Sequence, residues 1–335
     1  MSTPSLRRIV TLALALSLMP MMSGCGALVV TVGAQEEGLE RSVVARDEGW
    51  PWSRVAIIDV SGVLVNGHRS GVLSQGEHPV NLLHEQLALA ERDPWVKAVI
   101  LRINSPGGTV TASDAMYREV IRFKERTGKP VVVLMMDVAA SGGYYVACAG
   151  DHILAYPSTV TGSVGVILQT MSLKPLLGKI GVETLALTSG PNKAMGSPLE
   201  SLKDEHKALL QGMVDDFYAR FVEIVRASRP RIPADRFAQV VDGRVFTGTQ
   251  AVPLGVVDEL GDVYDAWRVA KRLAGVERAH LLRYHRPLQN PASPYAGAPQ
   301  RTPEVQFNLA QINLDTGQPF DRAGFFYLWQ PTAHE

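Results

Sequence analysis

Short apolar runs alternate with amphipathic stretches over most of this chain, from Arg54 to about Gly275. The apolar runs are hydrophobic at nearly every position, which is typical of strands covered on both faces. They are 55–60, 96–103, 131–136, 153–155 and 182–187, with a further short one at 256–257. The stretches between and after them place apolar residues at the spacing of a helix. They are 80–91, 112–126, a small-residue stretch from Ser141, 201–228, 233–241, 247–254 and 262–274.

This order of elements predicts an α/β fold in which a mostly parallel sheet is flanked by helices. Strands joined through helices form parallel βαβ units with right-handed crossovers. The chain has 335 residues, enough for one large domain or two small ones, and the pattern places one domain over residues 53–275.

The two ends of the chain lack this pattern. Residues 33–52 are polar and irregular, which predicts a tether. Residues 276–335 predict a C-terminal extension that is partly flexible, because 285–305 is rich in proline and polar residues.

The first 32 residues predict export and attachment to a membrane. Arg7 and Arg8 precede an apolar run over 9–22, and small residues follow, as in a secretory signal. Small residues directly before Cys25 resemble a lipoprotein signal, in which that cysteine becomes acylated. Alternatively, residues 9–32 are long enough to remain as an anchor across a bilayer of about 30 Å. Either alternative places the body on the extracytoplasmic, periplasmic side of the cell membrane.

Composition and charge exclude several classes of function. Lysine plus arginine equals aspartate plus glutamate, at 33 each, so no basic field would hold a nucleic acid. The two cysteines, Cys25 and Cys148, are too few for a disulfide framework. Because the sequence contains no CxxC, HExxH or histidine cluster, we expect neither a metal nor another cofactor.

The segment MMDVAASGGYYVACAG at 135–150 carries the strongest chemical signal. Ser141 follows a strand-like run and lies between two alanines and two glycines, so a peptide carbonyl can approach its hydroxyl closely. The backbone N–H of Gly142 can then meet the carbonyl oxygen. Nucleophilic acyl transfer needs this arrangement, whereas the simpler alternative is that Ser141 only caps a helix.

Two further segments carry residues suited to the same chemistry. NSPGG at 104–108 follows the strand predicted over 96–103, at the strand ends where α/β sheets bind ligands. Its two glycines can aim N–H groups at an oxyanion. SGPNK at 189–193 follows the strand predicted over 182–187.

Five ordered motifs resemble the signal peptide peptidase A family, membrane-bound serine proteases of the ClpP/crotonase superfold. They are NSPGGTV (104–110), AASGGYYVACAGD (139–151), TGSVGVI (161–167), SGPNKAMGSP (189–198) and DGRVFTGTQAVPLGVVDELG (242–261). The resemblance covers about residues 54–275 and implies the stacked ββα repeats of that superfold. It also implies a Ser–Lys dyad, with Ser141 as the nucleophile and Lys193 as the general base.

The resemblance implies further roles and partners. Gly142 and either Gly107 or Gly108 would form the oxyanion hole, and Ser163 would orient the lysine. The family forms dome-shaped homo-oligomers, for which an octamer is one candidate size, and neighbouring subunits can share an active site. The expected substrates are remnant signal peptides and other apolar or unfolded peptides.

A lysine can act as a general base only if it is uncharged near neutral pH. Its reference pKa of ~10.4 must fall to about 7–8, and burial does this by destabilising the ammonium form. A fall of ~3 units corresponds to roughly 4 kcal/mol of desolvation, which implies near-total burial. Lys193 has small and apolar neighbours and no adjacent carboxylate, which is compatible with this requirement.

Other candidates for the base fit less well. Lys174 and Lys179 fall in a helical stretch. A Ser–His triad would need His152, expected at a strand edge, or His206, expected on a solvated helix face.

The sequence therefore predicts a membrane-tethered serine endopeptidase, with two alternatives. One is a catalytically silent, membrane-bound scaffold of the same fold. The other is a crotonase-like acyl-thioester enzyme, since that superfold shares the glycine-rich oxyanion site. The second alternative would need neither the pair of Ser141 and Lys193 nor an exported location.

Overall fold

The computed structural model describes residues 38–49, 51–67, 77–287, 291, 293–296 and 324–329, which belong to one compact unit. The predicted signal or anchor over 1–32, with Cys25, lies outside them. The strands are β1 (Glu40–Ala45), β2 (Arg54–Ser61), β3 (Val96–Ser105), β4 (Gly107–Thr109), β5 (Val131–Ala140), β6 (His152–Ala155), β7 (Val160–Gly162), β8 (Ile167–Gln169), β9 (Val245–Thr247), β10 (Glu259–Leu260), β11 (His280–His285) and β12 (Gly324–Leu328). The helices are α1 (Pro79–Arg92), α2 (Val110–Thr127), α3 (Gly142–Ala147), α4 (Lys174–Lys179), α5 (Asp204–Ser228), α6 (Ala234–Val240), α7 (Gly248–Ala251) and α8 (Val263–Leu273).

Nine of these strands form one sheet, and seven of them lie side by side in the order β1-β11-β2-β3-β5-β6-β10. The pairings from β11 to β10 are all parallel, and β1 is antiparallel to β11 at the edge. Strand β7 continues the sheet beside the end of β5, and β9 pairs with β7. The sheet confirms the predicted α/β fold with mostly parallel strands.

Helices cover both faces of this sheet because its strands are apolar on both sides. Alternate residues of β2 point to opposite layers: Ala56 and Ile58 join one core cluster, whereas Val55 and Ile57 join the other. The first cluster includes buried residues of α1, α2, α3 and α5. The second is closed by α8, through residues such as Trp267.

The prediction of a strand over 182–187 is wrong. Residues 182–188 are irregular, and Val182, Leu185 and Leu187 are exposed. The run has strand-forming residues, but the described part of the chain offers no neighbouring strand that pairs with it. The short strand expected at 256–257 lies instead at β10, after a bend over 256–258.

Strands β1 and β11 lie outside the predicted domain, in regions whose sequence pattern did not predict strands. Strand β1 falls within the interval expected to be a tether, and β11 falls within the C-terminal extension. They pair with each other, and β11 also pairs with β2. The ends of the chain on either side of the predicted domain therefore complete one edge of its sheet.

Candidate active site

Ser141 lies at a strained turn between β5 and α3. Its backbone has φ 51° and ψ −116°, a conformation that non-glycine residues rarely adopt. The turn is held from both sides, because the Ser141 N–H donates to the Gly162 carbonyl at 2.8 Å and the Tyr145 N–H donates to the Ser141 carbonyl at 2.9 Å. A sharp strand-to-helix turn of this kind is how hydrolases present a nucleophilic serine.

The hydroxyl of Ser141 is not used to cap the helix. Ser141 occupies the N-cap position of α3 but makes no side-chain capping hydrogen bond. The helix-cap alternative therefore does not account for a serine here.

Glycines let α3 pack directly against the ends of neighbouring elements. A Cβ at Gly142 would lie 2.4 Å from the Ser113 Oγ, and one at Gly143 would lie 2.6 Å from the Ser105 carbonyl oxygen. At Gly143 the obstacle is backbone, so only glycine fits there; at Gly142 a larger residue would displace the Ser113 side chain and press on the Tyr327 carbonyl oxygen, which would lie 3.0 Å away. The first N–H groups of α3 lie at this contact, next to Ser141.

The Gly107–Gly108 turn faces α3, and its hydrogen bonds distinguish the two glycines. The Gly107 N–H donates to the Ser105 Oγ at 3.1 Å, so it is already engaged. On one side of β4, the Leu64 N–H donates to the Gly107 carbonyl and the Thr109 N–H donates to the Leu64 carbonyl, both at 2.8 Å. Because successive residues of a strand direct their N–H groups to opposite sides, the Gly108 N–H faces the other side, away from Leu64.

Ser163 also lies beside the Ser141 turn. It follows Gly162, whose carbonyl accepts the Ser141 N–H, and its own N–H donates to the Arg244 carbonyl at 2.7 Å. Its φ of 53° is again in the left-handed region. The structure thus brings together Ser141, Gly142, Gly107, Gly108 and Ser163.

Lys193 does not join this cluster within the single chain. It lies in a turn over 191–196, with its N–H donating to the Gly190 carbonyl at 3.2 Å, and its side chain is exposed. No hydrogen bond or ion pair within the described residues connects it to Ser141. The near-total burial expected of this lysine is therefore not provided by one chain.

The structure argues against the two candidate histidines of a triad. His152 pairs with Val132 across the sheet, nine residues before Ser141 along β5, so roughly 30 Å of strand separates them. Its Nε2 lies 2.9 Å from Glu259, at the opposite end of the sheet.

The expectation that His206 is solvated is wrong. It is 5 % exposed, and its Nε2 has no hydrogen-bond partner among the described residues.

Comparisons with known proteins identify the family of this chain. The family profile described as Peptidase family S49 matches residues 123–277, and that described as Clp protease matches residues 73–161. A protein of Synechocystis sp. named as a protease is 37 % identical over 233 residues, covering 68 % of this chain and 79 % of its own. The chain belongs to peptidase family S49.

Two further relatives of this S49 peptidase carry peptidase names. A protein of Enterococcus faecium named for signal peptide peptidase SppA is 32 % identical over 279 residues, covering 83 % of this chain and 80 % of its own. Protease 4 of Salmonella typhi is 34 % identical over 227 residues, which cover 68 % of this chain but 36 % of that longer protein. The chain is a serine peptidase with a Clp protease-like fold.

Several polar groups behind the serine of this S49 peptidase are buried, and burial shifts their pKa values or pairs them with a charge. Burial raises the pKa of Cys148 to about 11, so this thiol is not a rival nucleophile. Burial and the Asp114 carboxylate, which accepts from the Tyr145 hydroxyl at 2.7 Å, raise the pKa of Tyr145 far above its usual value. Behind α3, Arg229 and Asp258 form a buried ion pair at 2.9 Å.

Strand β12 is the part of the site that sequence reasoning missed. It forms a second sheet with β4 and β8, directly over the Gly107–Gly108 turn. The signal in the sequence was the run FFYLW at 325–329, an apolar and aromatic segment in an otherwise polar extension. Its Tyr327 is fully buried.

Proposed function

We propose that this S49 peptidase is a membrane-tethered endopeptidase with a Ser–Lys dyad, in which Ser141 is the nucleophile and Lys193 the general base. It would cleave remnant signal peptides and other apolar or unfolded peptides on the extracytoplasmic side. The observation that carries the proposal is the strained turn at Ser141. The Ser141 hydroxyl makes no capping hydrogen bond, and the turn leads into α3, which contacts the Gly107–Gly108 turn.

Two backbone N–H groups are suited to stabilise the oxyanion. Gly142 lies in the first turn of α3, and a Cβ on Gly107 would lie 2.7 Å from its nitrogen, so the two turns touch. The Gly107 N–H is engaged by Ser105, whereas the Gly108 N–H faces away from Leu64. We therefore assign Gly142 and Gly108 as the oxyanion donors, with Gly107 providing the tight turn.

The proton acceptor requires a second copy of the chain. Lys193 is exposed in the single chain, whereas a lysine that serves as a general base has to be withdrawn from water. The segment around it also exposes large apolar side chains, which in soluble proteins marks an interaction surface. They are Ile167, Met171, Leu176, Ile180, Val182, Leu185, Leu187 and Leu199. Packing of this segment on a neighbouring subunit would bury Lys193 and deliver it to a serine.

The reaction then follows the general course of acyl transfer. Neutral Lys193 takes the proton of the Ser141 hydroxyl as its Oγ attacks the peptide carbonyl. Gly142 and Gly108 donate to the oxygen on which negative charge develops. The protonated lysine gives its proton to the departing amine, and water then hydrolyses the acyl ester. Ser163, next to the residue that binds the Ser141 N–H, would orient the lysine.

The membrane tether rests on the sequence of residues 1–32. Among the helices that lie within the described residues, none has both the length and the apolar character needed to cross a membrane.

Covalent labelling tests the dyad. A fluorophosphonate probe should label the wild-type protein and fail to label Ser141→Ala. Lys193→Ala should be labelled far more slowly and should not hydrolyse casein. Lys207→Ala is the control, because it removes an exposed lysine outside that segment, on α5, and it should behave as wild type. Undiminished labelling and hydrolysis in Lys193→Ala would remove the lysine from the mechanism.

A further inference from the structure

Strand β5 contains a bulge shortly before the Ser141 turn. In β3 one residue, Asn104, separates the partners of Met135 and Ala139, whereas β5 has three residues between them, 136–138. The register shift therefore inserts two extra residues into β5. Because this number is even, the side chains after the bulge keep their faces of the sheet.

The bulge sets where Ser141 lies along the sheet. If β5 continued in its earlier register, Ser105 would pair with Asp137 rather than with Ala139. Ser141 would then lie two residues further along the strand, a displacement of roughly 7 Å. A reacting group misplaced by ~1 Å can already cost about a hundredfold in rate. The bulge therefore decides whether the serine meets its glycine turns.

The residues of the bulge contribute little to the core. The flanking residues 131–135 and 139–140 are buried, whereas Asp137 is exposed and Met136 and Val138 are half-buried. A bulge also interrupts the hydrogen-bond ladder, so a strand that served only the core would continue without one. Its consequence is instead the placement of the turn that follows.

Asn104 bonds to the groups that the bulge turns away from the ladder. Its Oδ1 accepts from the Val138 N–H at 3.1 Å, and its Nδ2 donates to the Asp137 Oδ2 at 3.2 Å. Its own backbone is fixed, because the Gly62 N–H donates to the Asn104 carbonyl at 2.8 Å. A side-chain amide suits this place, since it accepts from one group and donates to another at the same time.

The opposite side of the bulge is held by Thr159, in the turn between β6 and β7. This residue is fully buried, and its Oγ1 donates to the Met136 carbonyl at 2.6 Å and accepts from the Tyr156 N–H at 3.0 Å. The Thr161 Oγ1 donates to the Ala139 carbonyl at 2.7 Å. The bulge is thus held from both sides, and on the β3 side a single amide makes the side-chain contacts.

We propose that Asn104 is a positioning residue for peptide cleavage, which holds the β5 bulge and thereby places the Ser141 hydroxyl beside the oxyanion donors. This inference rests on the proposed function, since it takes Ser141 as the nucleophile. The asparagine acts on the attack at the peptide carbonyl and leaves peptide binding unchanged.

Removing the amide from the full chain tests the proposal. Asn104→Ala should lower the rate at which a fluorophosphonate labels Ser141, and the kcat for an apolar peptide, by about tenfold to a hundredfold, with KM within about twofold of wild type. The thermal midpoint should fall by a few degrees at most, because neither lost bond is fully buried. Asn81→Ala is the matched control, since that amide donates to the Glu85 carboxylate at 2.8 Å on α1, and it should behave as wild type.

Exchanging the carboxylate and the amide separates positioning from a general loss of structure. Asn104→Asp should be at least as impaired as Asn104→Ala, because it places two carboxylates side by side. The double variant Asn104→Asp/Asp137→Asn restores both bonds, since the carboxylate now at 104 accepts from the Val138 N–H and from the amide now at 137. Its labelling rate and kcat should return to within about threefold of wild type. A double variant no faster than Asn104→Asp would overturn the proposal.

Amide exchange reports on the bulge without any turnover. The Val138 amide should exchange faster in Asn104→Ala than in the wild type, and unchanged exchange there would also overturn the proposal. If Asn104→Ala is labelled at the wild-type rate while Ser141→Ala is not labelled, the inference fails and the proposed function stands. If exchange at Val138 responds as expected but Ser141→Ala still hydrolyses casein, the proposed function fails instead.

Discussion

Charging the exposed apolar segment around Lys193 should abolish activity without harming the fold. The perturbation is the double variant Leu185→Asp/Leu187→Asp. In the single chain these two leucines are 85 % and 91 % exposed, so neither contributes to the chain's own core. If a neighbouring subunit covers them, as the proposed dyad requires, aspartates there would weaken the assembly that buries Lys193.

The magnitude follows from how exposed these side chains are. Because almost the whole surface of each leucine is available for burial, covering one is worth about 1.5–3 kcal/mol. Losing both removes roughly 3–6 kcal/mol of association free energy, which corresponds to a weakening of roughly 10²–10⁴-fold. The desolvation of two buried carboxylates adds to this effect. The thermal unfolding of the single chain should barely change.

Two measurements on the same samples test this expectation. Sedimentation velocity should show a smaller species in the double variant than in the wild type. Peptide hydrolysis should fall in parallel and partly recover as protein concentration rises. Leu273→Asp is the matched control, because that leucine is also exposed, at 42 %, but lies on α8.

One result would refute the reasoning directly. If Leu185→Asp/Leu187→Asp is a smaller species than the wild type yet cleaves peptides at the wild-type rate, a single chain contains a complete site. Lys193 would then have no claim to the base, since it is exposed in that chain.

Three further variants or treatments test the scaffold of the site. Asp258→Asn leaves Arg229 buried without its charge partner and should lower the free energy of unfolding by about 3–5 kcal/mol, against about 0–1 for the exposed Glu223→Gln. Burial opposes ionisation of Asp258, but Arg229 outweighs burial and holds the pKa of this carboxyl below its usual 3.8. In denaturant titrations, the difference in unfolding free energy between wild type and Asp258→Asn should therefore be full above pH 3.8. It should shrink as the pH falls through the pKa that Asp258 has in the folded protein. Cys148, with its pKa raised to about 11, should resist iodoacetamide at pH 8 in the folded protein and react once urea unfolds it. His152→Ala should keep the wild-type kcat for peptide hydrolysis, and a loss of a hundredfold or more would revive the triad.

The elements that hold Ser141 were predictable because their environment is uniform. Strands β2, β3 and β5 are buried on both faces, so their residues are apolar at nearly every position and the pattern finds them within a few residues. The strained turn was also marked in the sequence, because a serine between small residues after such a strand leaves room for a sharp bend. Both signals are local.

The parts of the fold that the sequence did not predict depend on contacts between residues far apart in the chain. Strand β1 is an edge strand with mixed polar and apolar residues, and its partner β11 lies more than 200 positions away along the chain. Strand β12 is held by pairing with β4 and β8 rather than by its own periodicity. Residues 182–187 show the opposite failure, because their apolar character reflects an exposed surface instead of a sheet.

The two residues of the proposed dyad therefore differ in which contacts prepare them for the reaction. The Ser141 conformation costs about 1–3 kcal/mol of backbone strain, and hydrogen bonds to Gly162 and Tyr145 within one folded chain maintain it. The glycine turns are fixed in the same way, since a Cβ at Gly107 or Gly143 would lie 2.0 and 2.6 Å from backbone oxygens. The proposed nucleophile and the proposed oxyanion donors are thus in place as soon as a chain folds. The neutral lysine is not in place, because Lys193 loses its contact with water only when another copy covers the surface that one chain leaves exposed. A newly folded, unassembled chain would then carry an aligned serine without a base, and would cleave nothing until it meets another copy.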